Sequence, residues 1–122
     1  MTAPAPPEVV DVTSLLAGRP DGGHGVLWSA SNQLQTNVIS LASGQHIGAH
    51  SEAELDVTVA VVIGTLELRV GADPALEHAT AVQAPAVVVL PAGTRRSLTA
   101  GPDGVTYLTA HRRRTGMLPT VR

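Results

Sequence analysis

The sequence predicts an all-β domain, a sandwich or barrel, on three observations. Short runs rich in β-branched residues recur along the chain, Gly, Pro, Asn or Asp separates them, and aromatic side chains are nearly absent. Eight runs can be traced, at 26–30, 34–42, 56–63, 65–70, 79–82, 86–90, 96–99 and 105–111. Phe is absent, and Trp28 and Tyr107 are the aromatic residues, so Val, Leu, Ile and Ala must fill the core. Small branched side chains suit a pleated interior.

In chain order, residues 1–24 read as a flexible N-terminal arm, Pro- and Ala-rich at its start. A short helix is expected within it, with Asp11 or Thr13 as cap, Leu15 and Leu16 as an apolar pair, and Gly18 with Pro20 as stop. Residues 25–122 form the β-domain. The stretch 54–63 is apolar enough for a buried helix, but Val57, Thr58, Val59, Val61, Val62 and Ile63 are β-branched, and that crowding favours a strand. Gly64 then permits a sharp turn into Leu66 and Leu68. A surface loop begins at Gly71-Ala72-Asp73-Pro74. Gly101-Pro102-Asp103-Gly104 carries tight-turn chemistry and predicts a hairpin joining 96–99 to 105–111.

Composition excludes several functions. A chain of 122 residues buries one core. A formal charge of −2 gives no field to recruit nucleic acid or an anionic membrane surface, and no run is long enough to span a bilayer. Without Cys there are no disulfides, thiolate ligands or Cys nucleophiles. Met1 to Pro7 lacks the basic start and apolar run of a signal peptide, so a cytoplasmic location is expected. Ser40, Ser51 and Ser97 lack a nucleophile elbow, and the Gly-rich segments match neither a P-loop nor a dinucleotide fingerprint.

The most informative pattern is Gly44-x5-His50-x-Glu52-x3-Asp56-x7-Gly64, followed by Pro91-x-Gly93-x2-Arg96. It resembles the cupin superfamily, whose first motif runs Gly, His-x-His, Glu, Gly and whose second runs Pro-x-Gly-x-x-His. The resemblance covers about residues 34 to 111. It implies a double-stranded β-helix, or jelly-roll barrel, with a pocket between its sheets, and by analogy a homodimer. Against that pattern the second His is Glu52, the motif carboxylate is matched most nearly by Asp56, and the last His is Arg96. Pro85 stands where the second motif opens with Gly, and Asp56 to Gly64 is one residue longer than usual.

The resemblance implies that a divalent transition metal would sit on these positions. Glu52 can replace a ligand, since a carboxylate is one. Arg96 cannot: a guanidinium keeps its proton, offers no lone pair, and would repel the ion by roughly 4 kcal/mol per unit charge at ~4 Å and an effective dielectric of ~20. The expectation is therefore a pocket without a metal cofactor, in which His50, Glu52, Asp56 and Arg96 form a polar network and bind a small, anionic molecule, with Trp28 as an apolar contact. A solvated barrel mouth is the plainer alternative for the same charges. Of neighbouring Arg95 and Arg96 only one can face inward, and the motif spacing favours Arg96.

His46 and His50 share strand parity, so His46, His50 and Glu52 are the alternative metal set, a facial triad of two imidazoles and one carboxylate. His24 and His78 are assigned to solvent, and His111 ends the last strand. Arg112-Arg113-Arg114 reads as a solvated chain end, with a dimer contact or an anion site as its other uses. Three functions stay open: a metal-free cupin that binds a small molecule, a metal-dependent enzyme of dioxygenase or isomerase type, and an interaction module with a vestigial pocket.

Overall fold

The computed structural model of the protein describes residues 6–17, 25–30 and 33–113, with the side chains of residues 15–17, 25–30 and 74 outside that description. The expected helix stop at Gly18 and Pro20, the His24 loop, the Trp28 side chain and Arg114 therefore lie outside the described residues.

A short helix of six residues, α1 (Val12–Ala17), opens the described chain, and Asp11 caps it by accepting from Thr13 N at 2.9 Å and Ser14 N at 3.3 Å. Seven strands follow: β1 (Gly25–Ala30), β2 (Leu34–Leu41), β3 (His46–His50), β4 (Val57–Val70), β5 (His78–Gln83), β6 (Ala86–Leu90) and β7 (Arg96–Arg112). The loop after β4 contains a 3-10 turn, Pro74–Leu76, whose cap Asp73 accepts from Ala75 N at 2.9 Å.

Two of the strands are long, and they organise the rest. The first half of β4 pairs with β6 and with the second half of β7; its second half pairs with β5 and with the first half of β7. β2 joins the second half of β7, with β1 beyond it, while β3 joins the first half. One layer thus runs β1-β2-β7-β4-β6 and the other β3-β7-β4-β5, with β4 and β7 bending from one to the other. All the pairings are antiparallel. The all-β jelly roll expected from the sequence is the architecture observed.

Two local expectations are corrected. Residues 56–63 and 65–70 are not two strands joined by a sharp turn but one strand, β4, kinked at Gly64. Residues 96–99 and 105–111 do not pair as a hairpin. They lie end to end along β4, where Gly64 faces Val105 and Leu66 faces Ala100, so that 101–104 bulge out opposite Thr65. The tight-turn residues serve this excursion. Gly64 (φ 82°) and Gly104 (φ 79°) meet there, and a Cβ on Gly64 would collide with the Gly104 carbonyl.

The excursion sets which residues face the core. In β4 the buried positions are Val57, Val59 and Val61 before the kink and Leu66 and Leu68 after it. In β7 the inward-facing buried positions are Arg96, Leu98 and Ala100 before the bulge and Val105, Tyr107 and His111 after it, with Thr106 buried on the other face. Both strands change parity, so each presents its apolar face to the same interior. Tyr107, 1% exposed, is the largest of the fully buried side chains.

Candidate functional site

Between the two layers lies a cavity of about 200 Å3. From one layer β2 contributes Gln35, Asn37 and Ile39, and β7 contributes Tyr107, Thr109 and His111. Val57, Val59 and Leu90 close the β4–β6 side. From the other layer come Ile47 and His50 of β3 and Arg96 and Leu98 of β7, with Glu52 from the connection after β3. Polarity is graded along the strands. Gln35 faces His111 and Asn37 faces Thr109, whereas Ile39 faces Tyr107; across the cavity His50 faces Arg96 and Ile47 faces Leu98. Polar and aliphatic side chains therefore share the wall, since Val59 lies level with Thr109 on the β4 side.

Arg96 is the buried cation of this wall. It is 6% exposed, while Arg95 beside it is exposed, as alternation along a strand requires. Its Nη1 donates to the Thr94 carbonyl at 3.2 Å, and its Nε is buried with no hydrogen-bond partner among the described residues. Burial pulls the guanidinium below its ordinary pKa, and the charges of Glu52 and then Tyr107 oppose that shift. Tyr107 is coupled to the same group: burial raises its phenol well above the ordinary value, and Arg96 resists the rise.

Both cavity histidines have a fixed tautomer. His50 Nδ1 lies 2.9 Å from the Gly48 carbonyl, and His111 Nδ1 lies 2.7 Å from the Arg112 carbonyl. A carbonyl only accepts, so each Nδ1 carries the proton and each neutral ring keeps its lone pair on Nε2.

Three sequence expectations place differently. Asp56 does not line the cavity; it is exposed, and its Oδ1 accepts from Ala92 N at 2.7 Å. With Gly93 N donating to the Glu52 carbonyl at 2.8 Å, Asp56 ties the connection after β3 to the turn 91–94, which leads into Arg96. It is a positioning residue. His46 is also outside, because two residues of β3, Gly48 and Ala49, oppose the single Ser97 of β7 between Ile47–Leu98 and His50–Arg96. That bulge breaks the parity argument: Ile47 and His50 line the cavity, and the set His46, His50, Glu52 is not assembled. Among the described residues no three of His, Cys, Asp and Glu stand where they could share a metal ion. Arg112 is not merely a solvated chain end, since its Nη2 donates to the Glu54 carbonyl at 3.0 Å.

The sequence reading missed His111 as a wall residue, together with Gln35, Asn37, Tyr107 and Thr109. The signal was the alternation Tyr107-x-Thr109-x-His111, which marks one face of a strand once Tyr107 is recognised as core.

The architecture matches solved structures. An uncharacterized conserved protein with a double-stranded beta-helix domain from Klebsiella pneumoniae superposes with TM-score 0.74 at 16% identity, over 88% of this chain and 90% of that one. A cupin-2 domain containing protein from Shewanella frigidimarina gives TM-score 0.71 at 16% identity, over 86% and 95%. The protein is a small cupin-fold domain. Bacillus subtilis oxalate decarboxylase, a protein with Mn(II) centers, shares the fold at TM-score 0.68 and 15% identity, over 79% of this chain and 26% of that one. No family model matches the cupin-fold chain, and no curated protein does.

Proposed function

We propose that this cupin-fold protein is a metal-free binder of a small anionic molecule, held in the barrel by Arg96. The observation that carries the reading is the buried guanidinium whose Nε has no partner among the described residues. A buried donor without an acceptor costs free energy in the native state, and a bound carboxylate would satisfy it with a charge-assisted bond. The wall is a poor host for a resident transition ion, because Arg96 sets a fixed cation in it and, among the described residues, no three of His, Cys, Asp and Glu could share an ion. Among the described residues no helix is long and apolar enough to cross a membrane. A cytoplasmic homodimer that binds neither nucleic acid nor membrane completes the reading.

The test has two arms. Elemental analysis after purification without added metal is expected to find far less than one ion per chain; near-stoichiometric metal favours the metal-dependent enzyme. A thermal-shift screen with small acids is expected to stabilise the chain, by about 2.7 kcal/mol at a hundredfold excess over Kd, and Arg96→Gln is expected to abolish the shift. No shift from any acid, with metal absent, would favour an interaction module.

A further inference from the structure

Two imidazoles share the Arg96 cavity, and main-chain carbonyls fix the tautomer of both, so the wall offers acceptors as well as a cation. His50 is directly opposite Arg96 in the β3–β7 register. Opposite residues on neighbouring strands lie about 5 Å apart at Cβ, so His50 and Arg96 line the cavity from adjacent positions. Glu52, the charge that acts most strongly on Arg96, also borders the cavity. Ile39, Ile47, Val57, Val59, Leu90 and Leu98 supply an aliphatic wall for the rest.

We propose that the cavity takes a small aliphatic hydroxy-monocarboxylate, its carboxylate on Arg96 and its hydroxyl donating to His50 Nε2. The assignment rests on the anion-binding reading above and narrows it. One carboxylate satisfies the orphaned Nε. A second would meet Glu52 at close range without another buried cation among the described residues, so dianions are disfavoured. With Nδ1 donating to the Gly48 carbonyl, the neutral ring presents Nε2 as an acceptor, which favours a ligand that brings a donor over an analogue without the hydroxyl. A cavity of about 200 Å3 is of a size that suits a compact acid.

Isothermal titration of the full chain with 2-hydroxyisovalerate, isovalerate, malate and inorganic phosphate tests the assignment. The hydroxy-monocarboxylate is expected to bind about tenfold more tightly than isovalerate, the factor one well-made hydrogen bond supplies, and malate to bind more weakly than either. His50→Leu is expected to bring the ratio of the two monocarboxylate affinities close to one, and His50→Gln, which keeps an acceptor, to restore part of it. The wild-type titration decides even where a variant fails to fold. Equal affinity for 2-hydroxyisovalerate and isovalerate, or a preference for malate or phosphate, overturns the assignment and leaves an anion site standing. Failure of all four probes to bind removes the anion site and the assignment with it.

Discussion

Arg96 carries a conflict between stability and binding that a single substitution exposes. A guanidinium that is 6% exposed, with one donor unsatisfied among the described residues, is expensive to desolvate in the empty barrel. Arg96→Met replaces it with a flexible apolar side chain of similar length beside Leu98 and Ile47. Urea unfolding of the ligand-free protein should therefore show the variant more stable by about 1–3 kcal/mol, with m unchanged. A destabilised variant would mean that Arg96 is held by interactions stronger than its Thr94 contact. Tyr107 gives a second residue-scale readout. Burial raises its phenol pKa, so above pH ~10 the unfolded chain loses a proton that the native chain keeps, and stability falls as pH rises. Below pH ~10 both states keep the proton and this contribution is flat. Tyr107→Phe should remove that alkaline loss in denaturation measured at successive pH values. The inward aim of Arg96 was legible from spacing, because the turn 91–94, whose chemistry is local in sequence, leads directly into β7 at Arg96. Asp56 and His46 were not placed, because a carboxylate hydrogen-bonded to Ala92 N and a bulge in β3 depend on partners distant in sequence. His111 was missed because the excursion at 101–104 shifts the inward positions of β7 from even to odd.

At the scale of elements, the barrel depends on two strands that leave one layer and enter the other. Strand identity was legible from β-branched runs, since local sterics decide it. Strand continuity was not, because Gly-Pro-Asp-Gly codes for a tight turn whether the flanking strands fold back or run on. What separates the cases is β4, whose 14 residues give both halves of β7 a partner. The crossing point is therefore more demanding than an ordinary turn. Gly64 has φ 82°, and an added Cβ would strike the Gly104 carbonyl and press within 3.1 Å of the Val105 Cα. Gly44 has φ 74°, but its added Cβ would meet nothing within 4 Å. Gly44→Ala thus carries the conformational term alone, about 1–2 kcal/mol. Gly64→Ala carries that term plus backbone displacement in both long strands, and is expected to cost more than about 3 kcal/mol or prevent folding. Thermal unfolding of the two variants side by side separates these contributions, and equal losses would show that the crossing tolerates a side chain.

The whole molecule presents one face that a monomer would not be expected to leave open. The register places Val38 of β2, Leu108 of β7, Ala60 of β4 and Val87 of β6 in one row across the outside of the five-stranded layer. The next row holds Thr36, Ala110, Thr58 and Val89. Neither row contains a charge, although 15% of the chain is charged. Val38 is 1% exposed, so the β2 end is covered within the subunit, whereas Val87 and Val89 on the edge strand β6 are 66% and 61% exposed. Charge depletion with exposed branched side chains, beside a strand edge that is unpaired among the described residues, is the composition of an interface core. A second copy bringing the same patch would satisfy it by two-fold symmetry, since the patch is uncharged and therefore not self-repelling. Val87→Glu and Val89→Glu together place a pair of like charges on each subunit, four around the symmetry axis, while each side chain stays in water in the monomer. Sedimentation velocity of the wild-type chain is expected to show a dimer, and the double variant a monomer with a circular dichroism spectrum unchanged in shape. A wild-type monomer at tens of micromolar, or a double variant that remains dimeric, would move the interface away from β6.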